Sequence, residues 1–177
     1  FPPQTCEVFL GDKEVAGELL KFPWDHIFFT GSPQVGKIVM NQASHHLTSV
    51  TLELGGKSPA VVTTKANLTD AAEKLAWAKF FNSGQTCVAP DFVLVDQAIK
   101  KEFIKELVAV TKKFFGRDEN SQLHNKDLAP LIHRGHLDRM ETLLRSARSE
   151  GCHFEMGGET DKISNRMTPT IVSGVSL

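Results

Sequence analysis

The chain has 177 residues, of which 23% are charged and 41% are hydrophobic, and its formal net charge is -1. A domain of this length can bury enough surface to fold without disulfide or metal staples. The near-neutral charge balance and the lack of a long Lys/Arg run argue against nucleic-acid binding and against a polybasic membrane surface. No stretch of about 18 apolar residues occurs, so we expect no transmembrane helix in this piece.

The cysteines indicate a reducing compartment. Cys6, Cys87 and Cys152 form no Cys-x-x-Cys pair, and an odd, sparse count is atypical of a disulfide framework. We therefore expect a cytoplasmic location. The chain begins Phe-Pro-Pro, without an initiator Met or a basic leader, so we expect it to be an internal piece of a longer gene product.

The first third of the chain alternates between strand and helix patterns. Strands are predicted at 5–10, 25–30 and 49–54, and helices at 15–20 and 33–47. The continuous run Ile27-Phe28-Phe29 is typical of a strand buried on both faces. The apolar face of the second helix is predicted to comprise Val35, Ile38, Val39, Ala43 and Leu47.

The rest of the chain continues the alternation. Strands are predicted at 60–63, 92–95, 153–156 and 168–172, and helices at 68–81, 97–115 and 137–147. Thr69 is the N-cap candidate of the first of these helices, and Gly116 ends the second. Strands that alternate with helices predict βαβ units, an α/β fold and a largely parallel sheet. The pair Gly55-Gly56 marks the expected internal boundary.

The turn Gly31-Ser32-Pro33-Gln34-Val35-Gly36 follows a predicted strand and opens a helix. A helix N-terminus offers unpaired N–H groups and the positive end of the helix dipole, which suits a phosphate. The turn is not Gly-x-Gly-x-x-Gly, because Pro33 replaces the second glycine. It is nearly a Walker A loop, because residues 31–37 have the pattern Gly-x-x-x-x-Gly-Lys, but Ile38 stands where Ser or Thr would bind Mg²⁺. Phosphate binding and an ordinary strand-to-helix turn both stay open.

Glu53 is the polar outlier of a predicted strand that otherwise suits a core, and it precedes Gly55-Gly56, where a ligand can approach closely. A partly buried carboxylate there can act as a general base. A strand-edge glutamate that faces solvent is the alternative.

Cys87 lies in Asn82-Ser83-Gly84-Gln85-Thr86-Cys87-Val88-Ala89-Pro90, which leaves a helix and turns through a glycine. A thiol held in a strained loop beside backbone N–H groups can act as a nucleophile with an oxyanion site next to it. The alternative is a buried structural cysteine, the commoner fate of a free thiol. The seven histidines form no recognisable metal site; His133 and His136 have a ligand-compatible spacing, but no third ligand is evident.

Three motifs together resemble the NAD(P)-dependent aldehyde dehydrogenase superfamily. They are Phe29-Thr30-Gly31-Ser32 with Val35-Gly36-Lys37, then Leu52-Glu53-Leu54-Gly55-Gly56-Lys57-Ser58-Pro59, then Phe81-Asn82-Ser83-Gly84-Gln85-Thr86-Cys87. Their order and the 34 positions from Glu53 to Cys87 also fit the family. The run from Cys87 to Phe92 resembles the class 3 and fatty-aldehyde branch, because other branches usually have Arg near position 92.

The resemblance implies a three-layer αβα fold that is incomplete in this chain. Residues 1–54 would be the closing part of the cofactor domain and residues 55–177 most of the catalytic domain. We expect the chain to lack an upstream Asn loop that helps to bind the oxyanion, a downstream Glu-x-Phe-Gly-Pro block, and the arm used for dimerisation. The full-length protein is therefore expected to be a homo-oligomer, a dimer, and the piece alone is expected to be inactive.

By the same resemblance, Cys87 is the nucleophile and Glu53 the base that activates water, with NAD or NADP as the cofactor and an aldehyde as the substrate. The resemblance places the cofactor against Gly31, Ser32, Pro33, Gln34, Val35, Gly36, Leu54 and Gly55, and implies no metal. Two alternatives have no redox chemistry: a nucleotide-binding module that uses the near-Walker turn, and a non-catalytic interaction domain of the same fold.

Overall fold

A computed structural model describes residues 2–175 of the chain. Two compact units follow one another in the sequence, and the division falls between Gly55 and Gly56. None of the helices within residues 2–175 is long and apolar enough to cross a membrane.

The first unit is a βαβ arrangement that follows a short helix. Its elements are a 3-10 turn (Pro3–Thr5), α1 (Lys13–Leu19), β1 (His26–Gly31), α2 (Pro33–Ser44) and β2 (Ser49–Leu54). β1 and β2 pair in parallel, with His26 opposite Ser49 and Gly31 opposite Leu54. The carboxyl ends of both strands therefore lie at one edge of the pair.

The expected strand at residues 5–10 is wrong. Only the 3-10 turn forms at its start, and Val8, Phe9 and Leu10 are exposed. No strand among residues 2–175 pairs with this segment. A high β-propensity does not make a strand when the backbone groups have no neighbouring ladder to pair with.

Burial within the first unit also differs from expectation. Phe28 is 67% exposed on β1, so this strand is not buried on both faces. The buried face of α2 consists of Gly36, Val39 and Ala43, which are spaced at helical intervals. The expected face was wrong in part, because Val35 and Ile38 lie beside this stripe and are exposed, and because Leu47 lies beyond the end of α2.

The second unit combines parallel and antiparallel strand pairs. Its elements are β3 (Ser58–Val62), α3 (Leu68–Phe80), a 3-10 turn (Phe81–Gly84), β4 (Pro90–Val95), α4 (Lys100–Phe115), α5 (Glu119–Leu123), α6 (Arg134–Ser149), β5 (His153–Met156), β6 (Thr160–Asp161), β7 (Arg166–Met167) and β8 (Ile171–Ser173). β3 pairs with β4 in parallel, whereas β5 with β8 and β6 with β7 are antiparallel. The α/β class is confirmed, but the largely parallel sheet is corrected to two parallel and two antiparallel pairs. The four residues between β6 and β7 are too few for a parallel crossover.

The core of the second unit lies between α3, α4 and the β3–β4 pair. Its buried side chains are Val62, Ala72, Ala76, Phe103, Leu107 and Val110. The N-cap of α3 is Asn67 rather than Thr69, because the Asn67 side chain accepts the N–H of Asp70 at 3.1 Å. α4 begins at Lys100 rather than 97, after a turn in which Asp96 accepts the N–H of Ala98.

The last strand begins at Ile171 rather than at Thr168. The hydroxyl of Thr168 accepts the N–H groups of Gly158 and Glu159, both at 3.1 Å, so this residue closes a loop instead of extending the strand. Sequence reasoning also missed α5 and the β6–β7 hairpin.

Candidate active site

The turn after β1 has the features of a helix N-terminus that can receive an anion. Ser32 caps α2: its Oγ accepts the N–H of Val35 at 3.3 Å, and its carbonyl accepts the N–H of Gly36 at 2.9 Å. Pro33 has no N–H, so the N–H of Gln34 is the first-turn donor that remains for a ligand. Residues 32–35 are exposed, which leaves this end of the helix accessible.

Leu54 lies against the first turn of α2. Gly36 is buried, and a Cβ added there would lie 3.0 Å from Cδ2 of Leu54, so a larger residue at 36 would press on that side chain. Together with the pairing of Gly31 opposite Leu54, this contact brings the predicted cofactor residues of β1, α2 and β2 to one edge. Gly55 follows them, exposed, and a Cβ there would meet no atom within 4 Å.

Glu53 lies on β2 opposite Thr30, one residue before that edge. Its side chain is exposed rather than partly buried. A role as a general base therefore rests on the position of Glu53 in the family motif and not on burial within the first unit.

Cys87 lies in an exposed turn between α3 and β4. The N–H of Ala89 donates to the carbonyl of Thr86 at 3.1 Å and closes the turn around it. The thiol is free and exposed, so the alternative of a buried structural cysteine is wrong. Cys6 is also exposed and Cys152 is half-buried, so exposure alone does not distinguish Cys87.

The backbone that leads into this turn is strained. Asn82, Ser83 and Gly84 have φ angles of 50°, 54° and 75°, three successive residues in the left-handed region. Glycine adopts this region freely, whereas a serine there costs of order 1–3 kcal/mol and persists only when its surroundings hold it. Such residues cluster at functional sites, so this geometry agrees with the strained loop expected around the thiol.

Gln85 supplies most of the contacts that hold this loop, which we define as residues 82–89 and call the Cys87 loop. Its Nε2 donates to the carbonyls of Asn82 at 3.2 Å and Pro130 at 3.1 Å, and its Oε1 accepts the N–H of Ile132 at 2.9 Å. Ser83 adds a hydrogen bond from Oγ to the carbonyl of Ala129 at 2.5 Å. Sequence reasoning missed the contacts to Ala129, Pro130 and Ile132 because these partners lie 45 or more residues downstream.

Gly56 packs directly against the nucleophile candidate. A Cβ added at Gly56 would lie 2.7 Å from the carbonyl oxygen of Cys87, a separation that real Cβ atoms essentially never show. The close approach expected at Gly55-Gly56 is thus made by backbone, because only a glycine at position 56 leaves room for the Cys87 carbonyl.

A small ionic cluster joins the starts of β3 and β4 to the end of α3. Asp91 Oδ2 lies 3.0 Å from Nζ of Lys57, and Asp91 Oδ1 lies 3.9 Å from Nζ of Lys79. Burial lowers the pKa of Lys79 from its ordinary 10.5; the charge of Asp91 opposes this shift and that of Lys57 adds to it. Sequence reasoning did not find this cluster, which needs the β3–β4 pairing to form.

The histidines show no metal geometry. The rings of His133 and His136 stack with centroids 3.9 Å apart. Burial, followed by the nearby His133 and Arg139, lowers the pKa of His136. Within residues 2–175, no three His, Cys, Asp or Glu side chains are grouped so that they could hold a metal ion.

The sequence model of the aldehyde dehydrogenase family matches residues 1–177, the whole chain. The chain belongs to the aldehyde dehydrogenase family. It is 46% identical to the mouse dimeric NADP-preferring aldehyde dehydrogenase over 158 residues. This aligned region covers 89% of this chain and 33% of that protein. Human aldehyde dehydrogenase family 3 member B1 is 39% identical over 173 residues, which cover 97% of this chain and 35% of that protein. These relatives confirm the expected kinship with class 3.

Solved structures of the family share the fold. Staphylococcus aureus AldH in a substrate-bound state aligns with a TM-score of 0.87 and 37% identity, over 99% of this chain and 37% of that one. Betaine aldehyde dehydrogenase from the same species, in complex with NAD+, aligns with a TM-score of 0.84 and 26% identity, over 99% of this chain and 36% of that one. The chain thus spans little more than a third of the length of the relatives it matches.

Proposed function

We propose that this chain is the part of an NAD(P)-dependent aldehyde dehydrogenase that carries its nucleophile and its general base. The observation that carries the proposal is the exposed, free thiol of Cys87 in a strained and tightly bonded loop, inside the family's Gly-Gln-x-Cys motif. The full-length protein would oxidise aldehydes to carboxylic acids.

The proposed chemistry begins at Cys87. Its thiolate adds to the aldehyde carbon and forms a thiohemiacetal, whose oxyanion the backbone N–H of Cys87 helps to stabilise. Bound NAD or NADP would supply the hydride acceptor. Loss of the hydride leaves a thioester on Cys87, and water activated by Glu53 then releases the carboxylic acid and regenerates the thiol. Glu53 favours hydrolysis over acyl transfer to another acceptor, because acyl transfer needs no hydrolytic base.

Motif spacing supports a shared role for Glu53 and Cys87, because the 34 positions from one to the other fit the family.

The first unit fits the diphosphate of a dinucleotide. The exposed N-terminus of α2 offers the N–H of Gln34 and the hydroxyl of Ser32, and Gly31 and Gly36 flank this turn. We assign Pro33 and Val35 to the same cofactor surface, and Leu54 and Gly55 to its nicotinamide end. One relative is named NADP-preferring and one similar structure contains NAD+, so either cofactor is compatible with this surface.

The remaining parts of the proposal concern the whole protein. The division after Gly55 supports the assignment of residues 1–54 to the cofactor domain and 55–177 to the catalytic domain. The mouse relative is named a dimeric enzyme, which supports a homo-oligomer. The sparse, free cysteines support a reducing compartment such as the cytoplasm.

The experiment that tests this function uses the full-length protein. Cys87→Ser should lower aldehyde-dependent NAD(P)H formation by several orders of magnitude, because a nucleophile is removed. NAD(P) should also slow alkylation of Cys87 by iodoacetamide, with Cys6 as the internal control. Near-normal turnover of Cys87→Ser would refute the proposal. Mg²⁺-dependent ATP binding with an inert Cys87 would favour the nucleotide-binding module, and an inert Cys87 without nucleotide binding would favour an interaction domain.

A further inference from the structure

We infer that Gln85 is a positioning residue for Cys87, and that it holds the turn of the nucleophile against the backbone of residues 129–132. The inference rests on the proposed function of Cys87. Gln85 would touch neither substrate nor cofactor, and it would act only through the loop that it holds.

Every polar group of the Gln85 side chain is engaged with backbone. The amide nitrogen donates to the carbonyls of Asn82 and Pro130, and the amide oxygen accepts the N–H of Ile132. One side chain therefore bonds both its own loop and a segment 45 to 47 residues away. Only an uncharged group with both donors and an acceptor can satisfy all three partners at once.

The strained loop requires such an external hold. Asn82 and Ser83 stay in the left-handed region only if their surroundings favour that conformation over the ordinary one. Two restraints come from outside the loop: the bond of Ser83 to the Ala129 carbonyl and the two bonds of Gln85 to Pro130 and Ile132. Without them, the loop would relax towards common backbone angles, and the turn two residues after Gln85 would move with it.

The segment that receives these bonds is itself fixed. The N–H of Leu131 donates to the carbonyl of Asn165 at 2.8 Å, and the Asn165 side-chain amide donates back to the Leu131 carbonyl. Arg166 adds hydrogen bonds to the carbonyls of Asn125 and Leu128. Leu128 is 1% exposed and packs with Phe80 and Phe115 in a second buried cluster, which anchors the segment. The restraint on the Cys87 loop therefore extends to the β6–β7 hairpin.

Gly56 also contacts the turn, because it packs on the Cys87 carbonyl. Cys87 is thus restrained by two contacts, directly by Gly56 and, through Thr86, by the hydrogen bonds of Gln85. A nucleophile fixed in this way meets the aldehyde carbon in one orientation, and a misplacement of about 1 Å can cost about 10²-fold in rate.

The test compares three variants of the full-length protein. Gln85→Met keeps the length of the side chain and removes all three hydrogen bonds, and Ser83→Ala removes one. Gln97→Met is the matched control, because Gln97 is exposed and lies beyond the far end of β4, about 15–20 Å along that strand. We expect Gln85→Met to slow single-turnover NAD(P)H formation about 10- to 100-fold. Ser83→Ala should act in the same direction by less, and Gln97→Met should behave as the wild type.

Two further readouts separate positioning from general loss of structure. The rate at which iodoacetamide alkylates Cys87 should stay close to that of the wild type, because a small reagent needs no fixed orientation of an exposed thiol, and the KM values should also change little. The thermal midpoint is expected to fall somewhat, because three hydrogen bonds are lost, and it does not distinguish the two explanations. The inference is overturned if Gln85→Met keeps the single-turnover rate of Gln97→Met, or if its slower turnover is accompanied by a raised KM and an altered alkylation rate. Cys87→Ala separates the two hypotheses: if it stays active, the proposed function is wrong, whereas an inactive Cys87→Ala beside an unaffected Gln85→Met refutes only the role of Gln85.

Discussion

Replacing Gly56 by alanine probes the closest contact in the candidate active site. The new Cβ would lie 2.7 Å from the Cys87 carbonyl oxygen, about 0.7 Å short of the 3.4 Å at which ordinary contact begins. The obstacle is backbone and cannot rotate away, so the Cys87 loop or the start of β3 must shift by about that distance. Overpacking of this kind typically costs about 1–3 kcal/mol in the free energy of unfolding.

Activity should fall as well, because the displaced atom belongs to Cys87, the proposed nucleophile. A shift of about 0.7 Å predicts a fall in kcat of about 10- to 100-fold, measured on the full-length protein by NAD(P)H absorbance. Gly17→Ala is the control for activity, since a Cβ there meets no atom within 4 Å. Gly55→Ala, also without a neighbour within 4 Å, is the control for stability measured by urea unfolding. Unchanged stability and turnover in Gly56→Ala would refute the reasoning.

Three other predictions follow from the site. Glu53→Gln should lower steady-state turnover about 10²–10⁴-fold through slower deacylation, so that a pre-steady-state burst of NAD(P)H appears or grows; equal losses in both steps would contradict a role as the hydrolytic base. Because burial lowers the pKa of Lys79 below 10.5, its charged form is disfavoured by folding, and wild-type stability should rise relative to Lys79→Met as the pH climbs towards 10.5. The urea unfolding midpoints of the wild type and of Lys79→Met at about pH 7 and about pH 10 measure this difference. Equal changes in both midpoints would contradict the prediction. The 177-residue chain alone should form no NAD(P)H and bind NAD weakly or not at all in titration calorimetry, because a dinucleotide crevice needs strands from both halves of a sheet; micromolar binding with turnover would contradict this.

The sequence predicted elements well where local signals were strong. β2 matches its predicted bounds, and α2 begins at Pro33 as expected, because proline suits a first helical turn and Ser32 caps it. Local signals failed where tertiary contacts decide the outcome. The apolar residues 8–10 have strand propensity but no partner, and Asn67 rather than Thr69 caps α3 although both residue types can do so.

The candidate site shows the same division. Motif matching proposes Cys87, Glu53 and the Gly31–Gly36 turn as site residues without any knowledge of the fold. It could not find the hydrogen bonds that fix the Cys87 loop, because Gln85 bonds to a segment far along the chain. It could not find the strained backbone either, because a serine gives no local sign of a left-handed conformation. It also missed Lys79 and Asp91, whose proximity depends on the β3–β4 pairing and the packing of α3.

The hydrogen bonds between the Cys87 loop and residues 129–132 have an evolutionary consequence. Ser83 and Gln85 bond to the carbonyls of Ala129 and Pro130 and to the N–H of Ile132, and never to a side chain. These hydrogen bonds therefore place no requirement on the side chains of residues 129–132. The one restriction concerns proline. Proline is compatible with position 130, where only the carbonyl is used, and incompatible with position 132, where the N–H must donate. Substitutions should therefore accumulate readily at residues 129–132 and hardly at all at Ser83 and Gln85.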